Sequence, residues 1–202
     1  MPSIGILAYG SLIEDQGCEI KPLIIEHRKE VETPFCIEFA RSSSSRSNAP
    51  TVIPIKTGGS RVQATILVLD ASVSLERAED LLWRRETRNE CSEKHYVRPS
   101  TPAPNGVVVE SLRNFNGIDV VIYTSIPPNI QDPSPKRLAE LAVKSAKAEA
   151  GKCGRDGISY LISLKRQGIS TPLMPAYECE ILRITNTVSL EDALAKCRSD
   201  DV

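Results

Sequence analysis

The sequence predicts an α+β fold in which a strongly curved, barrel-like mixed sheet carries helices on its outside. Three observations lead there. Short apolar or alternating segments dominate the first two-thirds of the chain, and helix-patterned segments cluster towards its end. No strand–helix alternation of the kind that builds a doubly wound parallel sheet runs through it. With no internal repeat and no long linker, residues 1–202 read as a single domain.

The segment Ser3–Ala8 is short, apolar and bounded by Gly10, as a buried strand should be. Further strands are predicted over Pro34–Ala40, Thr51–Lys56, Arg61–Leu69, Gly106–Leu112, Ile118–Ser125 and Glu178–Ile184. Val62, Ala64, Ile66 and Val68 alternate with other side chains, and Gly58-Gly59 just before them reads as a hairpin turn. Ser74 is placed to cap a helix from Leu75 to about Arg85, with Glu76 favourable in its first turn. Pro135–Ala150 has Ser134 as N-cap, proline at the first helical position and Gly151 beyond its end. Asp156–Gln167 closes at Gly168, and Ser189 caps Leu190–Cys197 with Asp192 completing a capping box. The Ser-rich piece Arg41–Asn48 and the Pro-rich piece Pro99–Pro104 read as loops.

Composition narrows the classes of function. Twenty-five Lys+Arg against 26 Asp+Glu leave a formal net charge of −1, which argues against general nucleic-acid binding or attachment to an anionic membrane. Aromatic residues are only 4% of the chain, so Ile, Leu and Val must supply most of the core. The apolar run Ser3–Ile13 is too short to span a bilayer and lacks the basic flank and cleavage site of an export signal, so a cytoplasmic protein is expected. The six cysteines, Cys18, Cys36, Cys91, Cys153, Cys179 and Cys197, form no C-x-x-C pair. They are expected to be reduced and mostly packed thiols. With only His27 and His95 present, no local zinc-type spacing exists.

Two short stretches carry possible chemistry. The first strand runs into Tyr9-Gly10-Ser11-Leu12, where a glycine allows a sharp turn and successive N–H groups converge into an anion-holding concavity. A plain β-turn with Tyr9 in the core fits the same residues. The second is Leu81-Leu82-Trp83-Arg84-Arg85-Glu86. Leu75, Ala78, Leu81 and Leu82 share a helix face, and Glu86 lies near its edge, where partial desolvation would suit a carboxylate to general-base work. Periodicity alone does not single it out: Glu79 falls on almost the same side, and a solvated Glu86 pairing with Arg84 or Arg85 is the plainer reading.

Taken together, Tyr9-Gly10-Ser11-Leu12 and the Leu-Trp-Arg-Arg-Glu run some seventy residues later resemble the γ-glutamylcyclotransferase superfamily, most nearly its ChaC-type branch. The segments Thr33–Ser42 and Val62–Leu69 resemble strands of that branch. Gly154-Arg155-Asp156-Gly157-Ile158 followed by Tyr160-Leu161 is similar to its Gly-rich loop and Tyr-Leu helix. The resemblance thus reaches from about Ile4 to Ile169. Two departures accompany it: Ala8 stands where the branch commonly has an aromatic-Gly pair before the tyrosine, and the run Thr87–Tyr96 is longer than usual and lacks glycine.

The resemblance implies a small mixed β-barrel with surrounding helices. It implies that Tyr9, Gly10, Ser11 and Leu12 cradle a γ-glutamyl group, that Glu86 is the catalytic acid and base, and that Tyr96 takes the place of a family tyrosine. Arg41, directly after a predicted strand, is a further candidate substrate contact, since guanidinium groups suit anions. His95 is a weaker candidate for a second acid or base. Cys36 and Cys91 have no histidine at recognisable spacing and are set aside as nucleophiles. The implied reaction is intramolecular aminolysis, in which the substrate's α-amino group attacks its γ-carbonyl to give 5-oxoproline and a free amine or peptide. It requires no metal or organic cofactor, and its expected partner is a small-molecule γ-glutamyl compound. The alternatives are a catalytically silent domain that binds such a ligand and an enzyme that removes a γ-glutamyl protecting group in biosynthesis.

Overall fold

The first strand, β1 (Ile4–Ala8), is buried along its whole length, and a sheet is built on both of its sides. It pairs antiparallel with β5 (Gln63–Leu69) through Gly5–Val68 and Leu7–Ile66. On its other side it pairs parallel with β7 (Ile118–Ser125) through Ile4–Val120 and Ile6–Ile122. With β2 (Ile24–Glu32) and β6 (Val108–Phe115) the order is β2-β5-β1-β7-β6. The mixed sheet agrees with expectation, but the barrel does not: β2 and β6 are outer strands that do not pair with each other, and no closed barrel occurs among the described residues.

The computed structural model describes residues 2–199. They pack as two compact units, 2–33 with 63–127, and 34–62 with 128–199. In the first unit, α1 (Ser11–Glu14) follows β1, and α2 (Leu75–Thr87) follows β5. Ala78, Leu81 and Leu82 of α2 are buried with Ile4, Ile6, Leu67 and Ile122 of the sheet in one apolar cluster. Ser74 caps α2 as expected, its side chain accepting from the Arg77 N–H.

In the second unit, β3 (Cys36–Ser43) and β4 (Ala49–Ile55) form an antiparallel pair. With them come α3 (Pro135–Ala146), α4 (Glu149–Lys152), α5 (Gly157–Arg166), α6 (Met174–Thr185) and α7 (Leu190–Ser199). The caps at Ser134, Asp156 and Ser189 are all present. Gly157 has a packing role: a Cβ there would stand 2.8 Å from Cα of Ala142, so only glycine lets α5 approach α3 this closely.

Several element expectations fail. The helix expected over Pro135–Ala150 is two helices, α3 and α4, with Gly151 inside the second, and the expected loop Arg41–Asn48 begins within β3. Gly58-Gly59 is not a hairpin turn, because β4 pairs with β3 whereas β5 pairs with β1 and β2. The segment Glu178–Ile184 is helical, being part of α6. Its buried side chains Met174, Tyr177, Ile181 and Thr185 recur at three- and four-residue spacing, a helical stripe that the short window Glu178–Ile184 did not reveal. The unexpected strand β2 is largely exposed and charged, with two register shifts against β5. Those are marks of a protected sheet edge. No helix of the described residues is long and apolar enough to cross a membrane.

Candidate functional site

The turn after β1 begins at Gly10, whose φ of 64° and ψ of −134° suit glycine and strain any other residue. It passes directly into the single turn of α1, where Leu12 is buried. Tyr9 is half-buried, and its hydroxyl donates to the Thr124 carbonyl at 3.3 Å. The N–H groups of Ser11 and Leu12 stand at the start of this turn, where a helix leaves its first amides without intrahelical acceptors.

Glu86 lies in the last turn of α2 with 17% of its side chain exposed. Its Oε1 accepts from Nη1 of Arg85 at 2.5 Å. Arg85 is itself buried, with 6% of its side chain exposed. Its Nη2 donates to the Asp15 carbonyl at 2.6 Å and to Ser11 Oγ at 3.4 Å. One guanidinium therefore touches both the helical glutamate and the turn that follows β1. Its Nε is buried and has no hydrogen-bond partner among the described residues. An unmet donor in a buried, charged group is costly, and Arg85 carries one at Nε beside its three hydrogen bonds. The setting of Glu86 thus differs from the expected apolar edge. It is mostly covered and paired with Arg85, which combines the desolvation of one reading with the ion pair of the other.

Arg84 fastens the same helix end to the next stretch of chain. It grips Glu19 with two hydrogen bonds, Nε to Oε2 at 3.0 Å and Nη2 to Oε1 at 2.8 Å. A third bond runs to the Lys94 carbonyl at 3.0 Å. The guanidinium holds the Glu19 carboxyl below the usual glutamate range, against the opposing effect of its partial burial. Arg88 closes α2 in the left-handed region at φ 58°, and the Asn89 N–H bonds back to the Arg84 carbonyl at 2.8 Å.

Other candidates are placed elsewhere. Glu79 is partly buried, and desolvation, aided by the Glu76 charge, raises its carboxyl. It stands seven residues before Glu86, about 10 Å away along the helix axis. His95 bonds Asp80 through Nδ1 at 2.7 Å, and Asp80 lies about 120° round the helix from Glu86. Burial disfavours the Asp80 charge, but the bonds from His95 and the Tyr96 N–H outweigh it and hold the carboxyl low. The Tyr96 hydroxyl accepts from the Val109 N–H at 3.0 Å, and its ring lies 6.4 Å from that of Trp83. Tyr96 thus ties the loop after α2 to β6. Arg41 belongs to β3 in the second unit, beside a register shift in the β3–β4 pair, and burial lowers its guanidinium.

The structure therefore brings Glu86 and the Tyr9–Leu12 turn together through Arg85 within the first unit. Arg41 stands in the second unit. Arg85 carries the connection, although the sequence reading gave it only the part of a surface ion-pair partner. The available signal was an Arg-Arg pair directly before Glu86, matched by acids at Asp15 and Glu19.

The cysteines depart from expectation. Cys197 is buried and Cys36 half-buried, whereas Cys18, Cys91, Cys153 and Cys179 are exposed. The first three of these lie in turns and the last on the outer side of α6, where no core reaches them. The described residues hold no cluster of three or more His, Cys, Asp or Glu suited to a metal ion. Compared with protein-family models and with curated proteins, the chain matches none.

Proposed function

We propose that this chain is a γ-glutamylcyclotransferase-like enzyme acting on a small γ-glutamyl amide or peptide in the cytoplasm. The reading rests on the resemblance of the Tyr9–Leu12 and Leu82–Glu86 stretches to that superfamily. The observation that carries it furthest is the Arg85 bridge, which joins the proposed base to the proposed cradle by way of Ser11 and the Asp15 carbonyl.

The chemistry asks little of the protein. The α-ammonium of the substrate gives a proton to Glu86, and the freed amine attacks the γ-carbonyl of the same molecule. Arg85 occupies Oε1 of Glu86, leaving Oε2 as the oxygen that takes the proton. The carbonyl oxygen becomes an oxyanion, which the N–H groups of the turn after Gly10 stabilise. Collapse breaks the γ-amide bond as Glu86 returns its proton to the departing nitrogen, and the second proton of the attacking nitrogen then passes by way of Glu86 to the released amine. The products are 5-oxoproline and an ammonium that carries the charge of the original α-ammonium. Because nucleophile and electrophile share one molecule, the site acts chiefly by holding a folded conformer. Proton transfer by the glutamate contributes about 10²–10⁴-fold.

The test is 5-oxoproline release from glutathione, γ-glutamyl dipeptides and γ-glutamyl amines, with Glu86→Gln alongside. Release by the wild type and not by the variant supports both the reaction and the base, and the ranking of the panel names the leaving group. Calorimetric binding of a panel member with no release identifies a silent binding domain. No binding and no release from folded protein overturns the reading.

A further inference from the structure

The segments that flank the end of α2 bring two exposed thiols together. Sγ of Cys18 and Sγ of Cys91 are 3.5 Å apart although 73 residues separate them in the chain. The approach is fixed by a reciprocal lacing of the two backbones. The Cys18 N–H donates to Oε1 of Glu90 at 2.9 Å, and the Cys91 N–H donates to Oε2 of Glu19 at 3.0 Å. Each cysteine amide is thus held by the carboxylate next to the other cysteine, and Arg84 anchors one of those carboxylates with its two-pronged grip on Glu19. Cys91 is carried in the left-handed region at φ 60°, a conformation that a non-glycine residue keeps only where its surroundings impose it.

We propose that Cys18 and Cys91 form a dithiol–disulfide couple that exchanges electrons with small-molecule disulfides. The sulfurs need to close from 3.5 Å to the bonded separation of about 2.05 Å. Both are open to solvent, so a small disulfide reaches them. The Cys91 thiolate attacks a disulfide R–S–S–R, forming Cys91–S–S–R and releasing one thiolate, which takes up a proton as RSH. The Cys18 thiolate then attacks Sγ of Cys91 and expels the second RSH. Two protein thiols are oxidised, one external disulfide is reduced, and the two thiol protons end on the two RSH molecules. The order follows from the surroundings. Sγ of Cys18 lies 3.5 Å from Oε1 of Glu90, and the hydrogen bond to Cys91, burial and that carboxylate push the Cys18 thiol up. Cys18 therefore serves as the resolving sulfur and Cys91 as the attacking one.

The experiment uses the full chain and 2-hydroxyethyl disulfide, a probe with no γ-glutamyl group, so the outcome is independent of the reaction proposed above. After incubation, acid quench and denaturing alkylation, the wild type is expected to keep four of its six thiols. Peptide mapping should give a Cys18–Cys91 cross-link with no retained hydroxyethyl group. Cys18→Ser should trap one hydroxyethyl group on Cys91, because the resolving sulfur is gone. Cys91→Ser should consume the probe about tenfold more slowly or less. Six surviving thiols in the wild type, a hydroxyethyl group left on Cys91 without a cross-link, or a cross-link to Cys153 or Cys179 would each overturn the proposal.

Discussion

Both units cover carboxylates, and they treat them differently. In the second unit, Asp156 is fully buried and accepts from the N–H groups of Ile158 and Ser159, both at 2.9 Å, and from Ser159 Oγ at 2.7 Å. Glu38, 5% exposed, accepts from the N–H groups of Phe39 and Leu173 and from the Thr171 hydroxyl. Backbone amides and hydroxyls supply the closest partners, with Nη2 of Arg198 farther out at 3.5 Å from Oδ2 of Asp156, and each carboxylate fastens a helix or turn in place. In the first unit, Glu86 and Glu19 face guanidinium groups, and Arg85 keeps a buried Nε without a partner among the described residues. A buried acid satisfied by amides is a structural fastener. A covered acid beside a cation with an unmet donor has hydrogen-bonding capacity left, which the proposed site would use.

The sharpest test of that contrast is Asp156→Ala, which removes a helix cap and strands two amides. It should cost about 3 kcal/mol in urea unfolding, and a loss below about 1 kcal/mol would erase the distinction. Glu86→Gln should do the opposite, lowering turnover of the best panel substrate by about 10²-fold or more while the unfolding midpoint barely moves. Glu79→Gln should leave turnover within about twofold, since the helix, not the acid's burial, selects the base. If Glu79→Gln abolishes turnover and Glu86→Gln does not, the base is the earlier glutamate.

Smaller effects test the ion pairs. Because the folded Glu19 carboxyl titrates below its ordinary value of 4.5, its stabilising contribution is complete above that pH and is lost as pH falls through the lowered value. Glu19→Gln should therefore cost about 1–2 kcal/mol at neutral pH and show a shallower decline below pH 4.5. An unchanged acid limb in pH-resolved thermal melts would show that Arg84 does not govern this carboxyl. Tyr96→Phe, the mildest change, removes the acceptor of the Val109 N–H and should cost about 1 kcal/mol with turnover intact. A fall in turnover without loss of stability would return Tyr96 to the substrate site.

Much of the local structure was legible because its causes are local. Ser74, Ser134, Asp156 and Ser189 each mark a helix start through a side chain that meets orphan amides within a few residues. Strand β7 matches its predicted bounds, and β1 and β5 nearly do, because buried sheet positions impose an apolar pattern that needs no knowledge of the partner strand. Strand β2 escaped notice because an edge strand keeps its charges, and α6 because a seven-residue window cannot separate a helical stripe from alternation. In the candidate site, Glu86 and the turn at Gly10 were each visible as motifs. Their connection was not, since Arg85 reads as one more exposed cation in a helix full of charges.

The sequence by itself determined the α+β class, the caps, the buried central strands and the sharp turn at Gly10, all of which follow from interactions a few residues long or from one-dimensional periodicity. Only the tertiary structure decided that the sheet stays open, that Arg85 joins Glu86 to Ser11, and that Cys18 faces Cys91. Those outcomes depend on contacts between segments some seventy residues apart or more. Neither hydrophobic spacing nor local propensity encodes which distant charges and thiols will meet once the apolar faces have closed.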